Sequence, residues 1–158
     1  MDPRRRFFFR AQPAAAAIQR PPGALPEAAF EQACTRCDAC IAACPPQVIR
    51  RGSGGFPEMD FSRAGCDFCG ACQRACTPGA LAAAPGFGPW KAQISSSCLA
   101  QRGVDCRVCG DACDARALRF PPRRGGAPVP VLDLQACTGC GACVGGCPAQ
   151  AIKLVVPA

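Results

Sequence analysis

The sequence predicts an α+β fold: two small modules of short helices and β-hairpins in series, preceded by an irregular N-terminal tail. Three observations carry this expectation. The chain places 16 cysteines in 158 residues, and they fall into four groups of nearly one spacing. Glycine-rich turns separate short extended runs between the groups. Large apolar residues are scarce: 7 Leu, 5 Ile, 8 Val and 9 Phe make 29 of 158, about 18%. At that level a chain needs something besides an apolar core to hold it, and the overall hydrophobic share of 49% is inflated by alanine and cysteine.

The organising stretch is Cys34-Thr-Arg-Cys37-Asp-Ala-Cys40-Ile-Ala-Ala-Cys44-Pro45, with spacing C-x2-C-x2-C-x3-C-P. This is the run with which bacterial-type ferredoxins hold [4Fe–4S] cubes. Three thiolates this close can wrap one cube if the backbone curls tightly, while the fourth, expected at the start of a short helix, reaches the other cluster of a pair. Proline at 45 fixes φ and has no N–H to satisfy where the chain leaves the loop. Cys66, Cys69, Cys72 and Cys76 repeat the spacing, as do Cys137, Cys140, Cys143 and Cys147 with Pro148. The third copy is altered: Cys98, then seven residues, then Cys106, Cys109 and Cys113. No cysteine is left over. All sixteen are candidate ligands, enough for about four [4Fe–4S] clusters, and the modules are expected to be two-cluster ferredoxin-like units. A disulfide framework does not suit this clustering, and zinc prefers separated C-x2-C pairs.

The copies form an internal repeat. The fourth cysteines stand at 44, 76, 113 and 147, a period of 32 to 37 residues. Five residues after each comes an aliphatic residue: Ile49, Leu81, Leu118 and Ile152. Each is expected to open a short strand packed beside a cluster. Val48-Ile49-Arg50-Arg51 and the run 56–61 flank Gly52-Ser53-Gly54-Gly55, and runs 117–120 and 129–134 flank Arg123-Arg124-Gly125-Gly126; both read as hairpins. Pro85-Gly-Phe-Gly-Pro89 gives no strand signal, whereas Trp90-Lys-Ala-Gln-Ile94 does. The expected organisation is therefore a tail over 1–33, a first module over 34–88 and a second over 89–158. The gaps between successive groups, 21, 21 and 23 residues, are nearly equal. They leave open whether the first group shares clusters with the second or with the fourth.

The formal charge of +7 treats cysteine as neutral. Four oxidised clusters with their thiolates add about −8, so the loaded protein carries roughly −1. The arginine excess then balances cluster charge, and a nucleic-acid partner is not expected. The chain has no histidine, which excludes Rieske ligation and histidine-based acid–base catalysis; no enzyme activity is expected. No run of about 18 apolar residues exists, so no transmembrane helix is expected.

Residues 1–33 have a basic, aromatic tip, Arg4-Arg5-Arg6-Phe7-Phe8-Phe9-Arg10, followed by Ala14 to Ile18 among prolines 13, 21, 22 and 26. The tip resembles a twin-arginine export signal. The apolar stretch behind it is short and interrupted and has no clear cleavage site, so a retained tail and a cytoplasmic protein are expected. The third group carries its own expectation. A longer loop before Cys106 costs more entropy to fix and leaves an open cluster edge, so this cluster is expected to be lost first, as suits a donor.

The first group, Arg51-Gly-Ser-Gly54-Gly55-Phe56-Pro57, and the x7 spacing between Cys98 and Cys106 together resemble the NapF family, over about residues 32 to 152. This is the ferredoxin-type accessory family of the periplasmic nitrate reductase system. Thr77 before Pro78, and Asp114 in place of a proline, depart from the regular pattern without removing a ligand. The resemblance implies a cytoplasmic iron–sulfur protein that assists maturation of the reductase catalytic subunit before export, with the precursor of that subunit as partner. A polyferredoxin delivering electrons to a reductase is the other class that the residues allow.

Overall fold

The computed structural model describes residues 18–84 and 86–157; the basic tip and its twin-arginine-like residues lie outside them. The elements are α1 (Glu27–Ala33), α2 (Ala39–Ala42), β1 (Ile49–Arg51), β2 (Pro57–Met59), α3 (Ala71–Arg74), β3 (Lys91–Ile94), α4 (Val108–Asp111), β4 (Leu118–Arg119), β5 (Val131–Leu132), α5 (Ala142–Gly145) and β6 (Ile152–Val155). They form three two-stranded antiparallel sheets, β1–β2, β4–β5 and β3–β6. The first two are the hairpins expected from the glycine turns, with Ile49 opposite Met59 and Leu118 opposite Leu132. In the third, Lys91 pairs with Val155 and Ile94 with Ile152. The second module thus closes on itself by pairing its first strand with its last.

The repeat is written into the backbone. Three residues after each fourth cysteine the chain turns through the left-handed region: Gln47, Gly79, Arg116 and Gln150 have φ of 54°, 77°, 50° and 47°. Each donates its N–H to the carbonyl of the preceding fourth cysteine, at 2.9 to 3.2 Å. That turn delivers Ile49, Leu81, Leu118 and Ile152 inward, at 3 to 5% exposure. Ile49, Leu118 and Ile152 open strands as expected, but Leu81 does not. Its neighbourhood is bonded to residues 23–25 through Leu25 N–H to Ala80 O and Ala83 N–H to Gly23 O. Pro22 and Pro26 flank that partner segment, and prolines have no N–H to extend a ladder.

The irregular tail expected through residue 33 is also corrected. Glu27–Ala33 is helix, and its one buried side chain, Phe30, is fully enclosed. Residues 19–22 are buried too. Gln19 accepts the Met59 N–H at 2.8 Å, which ties this segment to β2. Arg20 is the keystone. Its side chain, 7% exposed, pairs with Glu27 at 2.5 Å, donates to the Pro57 carbonyl at 3.2 Å, and lies over the Phe30 and Phe56 rings at 5.0 and 5.5 Å. Its cationic plane therefore replaces part of an apolar core. Arg20→Ala should lower the stability of the loaded protein by about 2 kcal/mol, because it removes a charge-assisted hydrogen bond and two cation–π contacts, while half-exposed Glu27 is readily rehydrated. Arg20→Lys should recover only part of this, since ammonium lacks the planar fork. Anaerobic denaturant titration of the three proteins checks both.

Candidate metal centres

Four small cavities, each partly open to solvent, are lined by all sixteen cysteines, four apiece. Site I is lined by Cys34, Cys37, Cys40 and Cys76, and site II by Cys44, Cys66, Cys69 and Cys72. Site III is lined by Cys98, Cys106, Cys109 and Cys147, and site IV by Cys113, Cys137, Cys140 and Cys143. Each site takes three cysteines from one group and the fourth from its neighbour. In these cavities the first group is mixed with the second and the third with the fourth, the pairing that the equal gaps left open.

Local geometry produces the exchange. The helices α2, α3, α4 and α5 are one turn each and carry the third cysteines, Cys40, Cys72, Cys109 and Cys143, on their buried side. The fourth cysteine follows the end of this helix rather than standing at its start. One turn carries the chain away from its own loop, so the fourth thiol emerges toward the other site. In groups one, two and four the loop ahead of the helix enters the left-handed region twice. Arg36, Phe68 and Gly139 have φ of 58°, 54° and 72°; Asp38, Gly70 and Gly141 have 60°, 71° and 76°. This curl turns backbone N–H groups toward the sulfurs: Phe68 N–H points at Cys66 Sγ at 3.4 Å. From other segments, Ala92 N–H reaches Cys137 Sγ at 3.5 Å and Ala151 N–H reaches Cys147 Sγ at 3.3 Å. Such bonds stabilise thiolate charge and tune the metal.

Group three is built differently. Arg107, ahead of α4, has φ −129° and Asp105 is not left-handed either, so both left-handed steps are missing and the longer loop, with its own left-handed Gly103 at φ 85°, supplies the wrap. That loop is not the open edge expected. Arg102 N–H bonds to the Cys98 carbonyl and Val104 N–H to that of Leu99, at 3.1 and 2.9 Å. Cys98 is 9% and Ala100 2% exposed. The extra residues fold into a turn that seals the Cys98 side, with exposed Val104 and Val108 beyond it.

Burial in the fold pushes the Cys40, Cys66 and Cys109 thiols up to about 11 and Cys143 to about 12, with neighbouring thiolates adding to the effect. Exposed Cys37 is lowered instead, chiefly by the Ala39 N–H and then by the Thr35 hydroxyl. Four thiolates in one cavity need a cation to neutralise them. Among the described residues no three His, Cys, Asp or Glu side chains converge on a point suited to a single ion. Tetrahedral zinc, with Zn–S bonds of about 2.3 Å, would need sulfurs roughly 3.8 Å apart. Four thiols lining one cavity, without the convergence that a single ion needs, fit a cube of iron and sulfide.

Comparison with known proteins agrees. The model of the 4Fe-4S dicluster domain matches residues 33–80 and 103–151; Cys98, first in the altered group, falls outside the second match. The ferredoxin-type protein NapF of Escherichia coli K12 is 44% identical over 84% of this chain and 82% of its own length. NapF of Haemophilus influenzae is 42% identical over 85% and 77%. The methylamine utilization ferredoxin-type protein MauM of Methylophilus methylotrophus is 34% identical over 84% and 67%. The chain carries about four [4Fe–4S] clusters in two dicluster domains, and it belongs to the NapF family of ferredoxin-type proteins.

Proposed function

We propose that the sixteen cysteines ligate the clusters in the exchanged sets I to IV, and that the loaded protein assists maturation of the catalytic subunit of periplasmic nitrate reductase. It does so in the cytoplasm, by supplying or assembling an iron–sulfur cluster on the precursor before export. The observation that carries this reading is the likeness to NapF over 84% of the chain. The division into a first module to residue 88 and a second from 89 accompanies it, with residues 18–33 packed on the first module. The protein acts as a binding and loading factor rather than an enzyme. Among the described residues no helix is long and apolar enough to cross a membrane.

Capture of the unexported precursor by the anaerobically purified protein tests the reading. The full chain should retain it, and iron should pass from the protein to a cluster-free precursor. Deleting residues 1–17, rather than 1–33, is the informative truncation, because residues 18–33 pack into the first module. A full chain that binds mature and precursor subunits equally weakly and transfers no iron overturns the maturation role. The second reading, an electron carrier, is favoured by a direct backbone contact between sites of different modules.

A further inference from the structure

Among the described residues, the two modules touch where two of the candidate metal centres come together. Cys66 of site II donates its N–H to the carbonyl of Cys140 of site IV at 2.8 Å. The link runs Sγ–Cβ–Cα–N in Cys66, across the hydrogen bond, then O–C–Cα–Cβ–Sγ in Cys140. The backbones approach this closely because the residues between them are small. A β-carbon on Gly65 would lie 2.6 Å from that of Ala142, and one on Gly145 2.8 Å from the carbonyl oxygens of Phe61 and Ser62. Gln19 Nε2 donates to the Gly139 carbonyl at 3.2 Å, a second buried tie across the same junction.

The apolar packing places site II at the junction. Four clusters of buried side chains make up the core among the described residues. One lies wholly within residues 24–81, and two lie wholly beyond residue 91. The one that mixes the modules centres on Val48, Phe61 and Phe87, with Val144 and Leu154 against it. It includes Cys44 and Cys66 of site II and no other cysteine; from the second module it takes Val144, next in sequence to Cys143 of site IV. Within each module the exchanged fourth cysteines already tie site I to site II and site III to site IV.

We propose that the Cys66–Cys140 hydrogen bond and its apolar shell form an electronic junction that joins the two modules into one line of sites, ordered I, II, IV, III. Sites I and III are then the two ends. The altered third group stands at one end, where a redox partner would meet the chain, and not in the middle. Use of the line is a one-electron event: a donor loses one electron at one end, an acceptor gains it at the other, and no bond or proton moves. This inference rests on the ligand sets proposed above and is independent of the nitrate-reductase role.

Two full-length double variants test the order by magnetic interaction between reduced centres. Cys37→Ala with Cys106→Ala removes a ligand from each outer site, and Cys69→Ala with Cys140→Ala from each inner site. Each should retain about eight irons per chain; a different loss overturns the ligand sets and leaves the order to the unaltered chain. Pulsed electron paramagnetic resonance of the reduced proteins should show spin–spin coupling when the inner pair remains and none when the outer pair remains. Adding Gly65→Val to the inner-pair protein should weaken that coupling, while Gly126→Ala, in open space, should not. Equal or stronger coupling of the outer pair, or an inner pair indifferent to Gly65→Val, overturns the proposal. So does an unaltered, fully reduced chain whose couplings resolve into two isolated pairs.

Discussion

Cys76→Ala should empty site I and leave site II loaded, although Cys76 belongs to the second group. Its thiol lines the cavity of Cys34, Cys37 and Cys40. Cys44→Ala should do the reverse, since Cys44 lines the cavity of Cys66, Cys69 and Cys72. In each variant the iron content should fall from about sixteen to about twelve per chain. Combining Cys76→Ala with Cys37→Ala should cost no further iron, because both remove ligands from one site. Combining it with Cys69→Ala should bring the content to about eight. Anaerobic iron analysis reads this directly. The opposite pattern, additive loss with Cys37→Ala and none with Cys69→Ala, would mean that each group keeps its own fourth cysteine.

Removal of iron should unfold the chain. Of the nineteen buried hydrophobic residues among those described, six are cysteine and five alanine, so the apolar core left without metal is thin. The strands are two to four residues long, and four of the five helices are single turns, too short to stand alone. A structural metal in a small domain contributes roughly 10–16 kcal/mol, against a total margin for a folded domain of about 5–15 kcal/mol. Oxidative loss of the clusters, followed by chelation, should therefore abolish the native far-ultraviolet dichroism and expose the chain to trypsin at Arg50, Arg51, Arg119 and Arg124. Anaerobic reconstitution with iron and sulfide should restore both. A metal-free chain that keeps native protease resistance would show that residues such as Phe30 and Arg20 suffice to hold the fold.

Much of this architecture was legible in the residues because cysteine spacing and glycine turns are local signals. The groups mark where the loops curl, and Gly52 to Gly55 mark a hairpin whose register follows from alternation. What was not legible depends on distant partners. Nothing near Arg20 announces that Phe56 and Pro57 will enclose it, so a proline- and alanine-rich segment read as tail. Helix α1 is seven residues long, too short for its one buried residue to show a period. Equal gaps concealed which groups exchange cysteines, since that is decided by the direction in which each one-turn helix releases the chain. The turn over residues 98–104 was missed because loop length suggests freedom, whereas Ala100 and the Leu99 carbonyl find partners that close it.

With the ligand sets proposed above, the exchange of fourth cysteines also sets a timetable for biosynthesis. Site I cannot be completed until Cys76 has been translated, but both sites of the first module have their ligands by that residue. In the second module site IV has all four at Cys143, whereas site III, whose first ligand is Cys98, waits for Cys147. At roughly 5–20 residues per second, the first module can take up metal while the second is still being made. Site III holds three orphan thiols until the last of the sixteen cysteines appears. A nascent chain of this kind is most exposed to oxidation at its altered third group, late in synthesis, and not where translation begins.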